Sequence, residues 1–347
     1  MDGLKILIAD GSSVYRSMFS GAINQVSEDA QVICVDNGRE ASDLIKHNDF
    51  DIIIVDSEIQ NPDLYGFLKL LLREIPKAFV LVIARPSSTS TKIFLEALAN
   101  GASESMTKPI YDGYSENFEI IKNKMADIVK MLHTEESKEE AKYQILVAKS
   151  KKALPSKGFR PQLILIAVST GGPRALESII PELSGDIPVP ILVVQHMPSH
   201  FLGSLAQRLD SKSKLTVKVA EDGETITGRT VYFAPGGVHM RINSDDEIYM
   251  DDSPPINGVK PAADALFESV ANEFSGTRIL AVILTGMGQD SKSGLAKLKG
   301  KKRCFCIAQS EKTCVVYGMP RAVVEEDLAD KVLDLEKIAP EIESFSY

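Results

Sequence analysis

Residues 164–180 read "ILIAVSTGGPRALESII", an apolar run that ends at Ser169 and gives way, after Gly171-Gly172-Pro173, to the spacing of an amphipathic helix. An apolar run without alternation reads as a strand covered on both faces. A strand that turns straight into a helix is half of a parallel β-α-β unit, so this stretch sets the fold class as α/β. It also raises a chemical question. A corner of this kind presents its side chain outward, while the glycines after it let the backbone turn and Pro173 suits the first helical position.

The same grammar extends in both directions. Beyond the corner, "PILVVQH", "RILAVILTG" and "RCFCIAQ" have the apolar density of central parallel strands. Between them "LTVKV", "TVYFAPGG", "VHMRI" and "EIYM" are short, alternating and bounded by turn residues, which predicts a β-hairpin insertion in a doubly wound α/β domain. Before the corner, "LKILIAD", "QVICVD", "FDIIIVD", "AFVLVIA" and the weaker "SESMTKP" alternate with helical periodicity. That pattern predicts a flavodoxin-like domain of five parallel strands. From His133 to Arg160 the chain turns rich in Lys, Glu and Ser and ends in a Pro-Ser-Lys-Gly break, the composition of a tether. The expected layout is therefore a first domain over 1–132, a linker over 133–160 and a second domain over 161–347. A length of 347 residues calls for two cores in any case.

Composition narrows the function classes. A net charge of -9 argues against a broad nucleic-acid surface, which needs excess Lys and Arg to displace counterions, so the expected partners are proteins. No apolar stretch approaches the roughly 18 residues needed to span a bilayer, and the chain is expected in the cytoplasm, not membrane-embedded. No coiled-coil heptad is evident, so a monomer is expected. Four cysteines, at 34, 304, 306 and 314, lack the paired spacing of structural zinc and read as buried free thiols. Cys304 and Cys306, two apart in a strand, share one face.

In open α/β sheets ligands collect at the carboxyl ends of the strands. In the first domain three polar residues fall there: Asp10 after the first strand, Asp56 after the third and Lys108 after the fifth. Two carboxylates and an ammonium at one edge suit a divalent cation and a phosphoryl group, the cation screening the acid as it attacks phosphorus. One such Asp alone would more simply be a helix cap. Together with Lys108-Pro109 the set resembles a response-regulator receiver domain. The resemblance implies Asp56 as phosphoryl acceptor, Lys108 as a contact to the phosphoryl group, and Asp10 with Asp56 as ligands of Mg2+. Three features depart from that family. Asp10-Gly11 stands where an acidic pair is usual, Ala84 stands where a hydroxyl is expected, and "DSEIQNPDLYG" is longer than the usual spacing to Gly66. A working phosphoswitch and a receiver fold kept only as a lid both fit these residues.

The corner serine has three readings. It is a nucleophile, part of an anion-holding helix start, or an N-terminal cap. Ala167-Val168-Ser169-Thr170-Gly171 is neither Gly-x-Ser-x-Gly nor Gly-x-Gly-x-x-Gly, so a nucleophile here needs a base and a group to orient it. The chain offers five histidines. His47 and His133 lie in the first domain and the linker start, His200 opens a helix, and His239 follows "APGG" in the hairpin region. His196 ends "PILVVQH" at the same sheet edge as Ser169 and is the best base. The strand "RILAVILTG" then delivers Asp290 past a Gly-rich turn, and residues Thr285 to Gly288 can offer backbone N–H groups to an oxyanion. The order Ser, His, Asp is no obstacle, because a triad is recognised by role.

Several further motifs stand in a fixed order: "VSTGGPRAL", "VVQHMP", "VYFAPGG", "PAADALFESVA", "LTGMGQD" and "VVYGMPRA". With the receiver pattern they resemble the chemotaxis receptor protein-glutamate methylesterase family, CheB, over nearly the whole chain. The resemblance implies a hydrolase in two-component signalling that removes methyl esters from glutamates on chemoreceptor helices and also deamidates glutamine. It implies Ser169, His196 and Asp290 as catalytic residues, with Thr170 and Met287 beside the oxyanion site. No cofactor is implied for the esterase step. The implied partners are methyl-accepting chemotaxis receptors and a chemotaxis histidine kinase, with the receiver regulating access to the active site. "DSKSG" after Asp290 departs from the Gly-Ala more common in the family. A signalling adaptor without turnover remains the alternative, although it has no need of Ser, His and Asp together. A nucleotide-binding protein built on Gly171-Gly172 lacks the ribose-binding acid expected after the turn.

Overall fold

The computed structural model describes residues 3–136 and 159–345, and their side chains except those of 133–136 and 200. The chain forms two compact units, Met1–Lys138 and Glu139–Tyr347. Most of the tether expected over 133–160 lies outside the described residues.

In the first unit β1 (Lys5–Ala9), β2 (Gln31–Val35), β3 (Ile52–Asp56), β4 (Phe79–Ala84) and β5 (Glu104–Thr107) form one parallel sheet in the order β2-β1-β3-β4-β5. The helices α1 (Ser13–Val26), α2 (Gly38–Ile45), α3 (Leu64–Glu74), α4 (Ser90–Ala99) and α5 (Tyr114–Glu136) alternate with the strands. Every position of β3 and β4 is buried, as apolar runs without alternation require. The long loop after β3 closes on the start of α2, where the Gly38 N–H donates to the Gln60 carbonyl at 2.9 Å. A Cβ on Gly38 would lie 2.7 Å from that oxygen, so the loop is accommodated by a residue without a side chain.

The second unit contains β6 (Leu163–Val168), α6 (Gly172–Ile179), β7 (Ile191–Gln195), α7 (Ser199–Asp210), β8 (Thr216–Val219), β9 (Thr230–Phe233), β10 (His239–Ile242) and β11 (Ile248–Asp251). Then follow α8 (Ala263–Asn272), β12 (Arg278–Ile283), α9 (Lys292–Lys301), β13 (Arg303–Gln309), α10 (Met319–Glu325), β14 (Lys331–Leu333) and α11 (Leu335–Ser344). Seven strands make a parallel sheet in the order β14-β13-β12-β6-β7-β9-β8. From β6 the chain first winds towards β7 and later returns to β12 on the other side, so β6 stands at the switch point where crevices open in such sheets.

The expected hairpin is narrower than the sequence pattern suggested. Among the described strands only β10 and β11 pair antiparallel, from His239 opposite Asp251 to Ile242 opposite Ile248. The runs "LTVKV" and "TVYF" instead supply β8 and β9 of the parallel sheet. The reason is visible in β9, whose Val231, Tyr232 and Phe233 are all buried and so face cover on both sides. The thiols also differ in part from expectation. Cys304 and Cys306 pack on one hydrophobic cluster, but Cys34 is exposed, because β2 is an edge strand with most of its positions open.

That cluster joins β6, β7 and β12 to α8 and α9 through Leu165, Val194, Ala281, Leu266, Phe267 and Leu295. Helices α8 and α9 approach closely at Gly294, where a Cβ would lie 2.7 Å from Phe267 Cβ and 2.9 Å from the Asp264 carbonyl. Gly294→Ala should therefore cost about 1–3 kcal/mol by overpacking, despite alanine's better helix propensity. A urea titration should show a lower midpoint at unchanged slope.

Candidate active site

Ser169 directly follows β6, and its N–H donates to the Thr285 carbonyl at 3.0 Å, which ties the corner to the loop after β12. The backbone turns at Gly171, with φ +78, a conformation in which a Cβ would meet Val315 at 2.6 Å. Gly171, not Ser169, is the N-cap of α6, and the cap uses no side chain. The serine is thus not the helix cap. Its Oγ makes no hydrogen bond to any described residue. On the far side Gly286 lies against it so closely that a Cβ there would sit 2.7 Å from Ser169 Cβ.

His196 begins the segment after β7, beside β6, and its N–H donates to the Val168 carbonyl at 3.1 Å. Its Nε2 lies 2.8 Å from Asp290 Oδ2. A carboxylate acceptor requires the proton on Nε2, which leaves the lone pair on Nδ1. Asp290 is almost fully buried at the start of α8, where its oxygens accept from the N–H groups of Ala263 at 2.6 Å and Asp264 at 3.0 Å. Burial acts to raise its pKa. The hydrogen bond and charge of His196, with the two backbone donors, outweigh burial and hold the carboxyl below its ordinary value. A buried helix N-terminus is a favourable seat for that charge.

The other histidines have different surroundings. His239 is fully buried, its Nδ1 accepting from the Ala262 N–H at 3.0 Å and its Nε2 lying 3.1 Å from the Pro254 carbonyl, so both nitrogens are used. His47 lies in the first unit after α2, and His200 is the second residue of α7. Thr170 and Met287 flank the corner, and neither N–H donates a hydrogen bond among the described residues. The Gly286 N–H, by contrast, is taken by the Val316 carbonyl at 3.0 Å.

Three side chains of this edge were not legible as functional in the sequence, which singled out only the main chain of Thr285. Thr285 Oγ1 donates to the Thr170 carbonyl at 2.9 Å and accepts from the N–H groups of Val315 and Val316 at 3.1 and 3.0 Å, knotting three loops together. Gln309 Oε1 accepts the Thr285 N–H at 2.9 Å. Gln195 Nε2 lies 3.0 Å from the carbonyls of both Ser169 and His196. The two glutamines share one feature, an amide as the last residue of a strand whose immediately preceding residues are apolar and buried.

In the first unit Asp10, Asp56 and Lys108 do converge. Lys108 Nζ donates to Asp56 Oδ2 at 2.8 Å and lies 2.8 Å from Asp10 Oδ2, with all three side chains buried. Its approach to Asp10 is an ion pair outside hydrogen-bond geometry, so among the described residues Asp10 Oδ2 has no hydrogen-bond donor. Burial and then the Asp56 charge raise the Asp10 pKa, against the Lys108 ammonium and the Ser12 N–H. Among the described residues no three His, Cys, Asp or Glu side chains gather to hold a metal unaided. Magnesium is ordinarily held by one or two carboxylates with waters and phosphate oxygens, and Asp10 with Asp56 fits that donor set, the undonated Asp10 oxygen included. Gly11 adds no ligand, and Ala84 closes β4 without a hydroxyl.

A family model described as CheB methylesterase matches residues 164–342, and one described as response regulator receiver domain matches 6–115. A protein of Syntrophomonas wolfei named protein-glutamate methylesterase/protein-glutamine glutaminase 1 is 39% identical, with 97% of this chain and 98% of that protein covered. A Geobacillus kaustophilus protein named protein-glutamate methylesterase/protein-glutamine glutaminase is 36% identical over 99% of this chain and 98% of its own. The chain belongs to the CheB methylesterase family. The crystal structure of the Thermotoga maritima CheB methylesterase catalytic domain is 45% identical, covers 52% of this chain and 97% of that one, and superposes with a TM-score of 0.50. No helix among the described residues is long and apolar enough to cross a membrane.

Against the CheB pattern the "DSKSG" departure acquires a physical cost. Ser291 stands directly after Asp290 at φ +90, in left-handed backbone that glycine adopts freely and other residues do not. Its hydroxyl is buried with no hydrogen-bond partner among the described residues. Ser291→Gly should therefore raise stability by about 1 kcal/mol, the relieved strain and desolvation exceeding glycine's entropy cost. Thermal unfolding should show a Tm a few degrees higher; an unchanged or lower Tm would contradict the assignment of strain.

Proposed function

We propose that this chain is a protein-glutamate methylesterase that hydrolyses γ-glutamyl methyl esters on chemoreceptor helices, with glutamine deamidation as a second activity. The observation that best supports it is the 2.8 Å contact of His196 with buried Asp290 at the sheet edge that carries Ser169. In this reading Nδ1 of His196 accepts the Ser169 proton as Oγ attacks the ester carbonyl, and Asp290 holds the imidazole in that tautomer and stabilises its charged form. The uncommitted N–H groups of Thr170 and Met287 are the candidate donors to the oxyanion. Methanol leaves with the proton that His196 carries. Water, deprotonated by the same imidazole, then attacks the acyl carbonyl, and the imidazolium returns that proton to Ser169 Oγ as the glutamate is released. An amide passes through the same tetrahedral geometry, which accounts for deamidation, and the steps use no cofactor.

Residues 1–132 act as a receiver domain, 133–160 as its tether and 161–347 as the esterase domain. Asp56 accepts a phosphoryl group from a chemotaxis histidine kinase, and Lys108, released from its ion pairs, contacts the phosphoryl oxygens. Asp10 and Asp56 would hold Mg2+ there, which supplies positive charge to the phosphoryl group. Phosphorylation governs the esterase, and the enzyme works as a cytoplasmic monomer on membrane receptors without entering the bilayer.

Methanol release from methylated receptor membranes, with and without acetyl phosphate, tests both units. Ser169→Ala should abolish release and leave unfolding unchanged, and Asp290→Asn should lower it on the order of a thousandfold or more by presenting the wrong tautomer. Release at the wild-type rate from Ser169→Ala would sink the nucleophile assignment. In the receiver, Gly11→Asp supplies the missing carboxylate at an exposed position, where a Cβ meets only the Asp36 carbonyl, at 3.9 Å. That change should raise affinity for Mg2+ with beryllofluoride about tenfold by titration of the full chain; an unaltered affinity would mean that Asp10 and Asp56 do not hold the ion.

A further inference from the structure

The two strands that carry Ser169 and His196 are neighbours, with Val168 opposite Gln195 in register. Their last ladder hydrogen bond runs from the His196 N–H to the Val168 carbonyl. Beyond it the chains diverge into separate loops, and main-chain pairing no longer fixes the distance between the two residues. The Gln195 side chain takes over at that point. Its Nε2 has two hydrogens, and it lies 3.0 Å from the Ser169 carbonyl and 3.0 Å from the His196 carbonyl. One amide therefore bridges the main chain of the proposed nucleophile to that of its base.

Two further observations point to a fixed bridge. Gln195 is almost fully buried, and among the described residues its Oε1 has no hydrogen-bond donor, so the amide orientation is set by the two carbonyls. The first residue of α6 is Gly172, whose missing side chain leaves the space the amide occupies; a Cβ there would collide with Oε1. The fold does not need the bridge for hydrogen-bond satisfaction at Ser169, whose carbonyl also accepts the Gly172 N–H at 2.8 Å. A buried amide that leaves its own oxygen unsatisfied is costly, and here it secures only the relation between two neighbouring residues.

We infer that Gln195 is a positioning residue that sets the separation of Ser169 Oγ from His196 Nδ1 by clamping the carbonyls of both residues. The inference rests on the esterase reading above, in which those two atoms exchange a proton. Misplacement of a proton acceptor by about an ångström lowers turnover on the order of 10²-fold, while contacts to the rest of a substrate are untouched. The expected signature is a fall in kcat with KM unchanged.

Gln195→Met keeps length and burial but removes both donors, and Gln195→Glu keeps the shape with oxygen in place of Nε2. Either variant, in the full chain and folded by its melting curve, should lose about 10- to 100-fold in kcat for methanol release, with KM within twofold of wild type. The rate of Ser169 labelling by a fluorophosphonate should fall by the same factor, because labelling needs the serine and its base but no receptor. Wild-type labelling and kcat in a folded variant would overturn the inference, as would a loss that follows only the unfolded fraction. Failure of the underlying reading looks different: wild type itself would release no methanol, or would be labelled at a residue other than Ser169.

Discussion

The parallel register of β6 between β12 and β7 is the constraint on which the rest of the second unit depends. Ala167 stands opposite Ile283 and Val168 opposite Gln195. The loops that follow the three strands must therefore emerge side by side, although Ser169, His196 and Asp290 are far apart in the chain. Main-chain hydrogen bonds of the ladder fix that adjacency as far as the His196 N–H on the Val168 carbonyl. Side chains then complete it, with Thr285 tying the β12 loop to the Ser169 corner and the start of α8 seating Asp290. The catalytic reading thus draws on a rigid sheet edge, which suits a proton transfer that tolerates little error.

How much of this was legible follows from where the signal lies. Apolar runs such as "ILIAV" and "DIIIVD" announce buried parallel strands by themselves, because both of their faces must be covered. The edges at which Asp10, Asp56 and Lys108 gather in one sheet, and Ser169 and His196 in the other, then follow from strand direction alone. Four-residue segments such as "TVKV" and "TVYF" carry too few positions to separate alternation from full burial, so their places in the sheet became visible only through β9 pairing with β7. The side chains of Gln195 and Thr285 were silent for another reason. The carbonyls of Ser169 and Thr170 that they bind lie 26 and 115 residues away, and an uncharged polar side chain at a strand end gives no periodicity that would predict them. Ser291 shows the reverse, since its departure from the family pattern was plain in the sequence while its left-handed backbone was not.

The first unit uses the same edge for different chemistry. Lys108 is the only cation among the described buried side chains of this unit and lies against both Asp10 and Asp56, with the Tyr15 ring centroid 4.7 Å from Nζ. Two carboxylates with one ammonium leave the cluster with an excess negative charge when all are ionised. Burial makes that arrangement costly, and the raised Asp10 pKa expresses the cost. Any phosphoryl group entering here meets a lysine already engaged twice, so its arrival must redistribute existing ion pairs.

The attachment of His196 to Asp290 through Nε2 carries a stereochemical consequence. Nδ1 is bonded directly to the ring carbon that joins the imidazole to its side chain, one bond closer to the main chain than Nε2. A base working through the nearer nitrogen has a short lever arm: rotation about the side-chain bonds sweeps it through a small arc, while a tilt of the strand end carries it almost the full distance. Accuracy at the hydroxyl is then inherited from β7 more than from rotamer choice. Substitutions that leave all three polar groups in place but cant this strand against its neighbour would detune the centre, and they would be found in the hydrophobic layers beneath it.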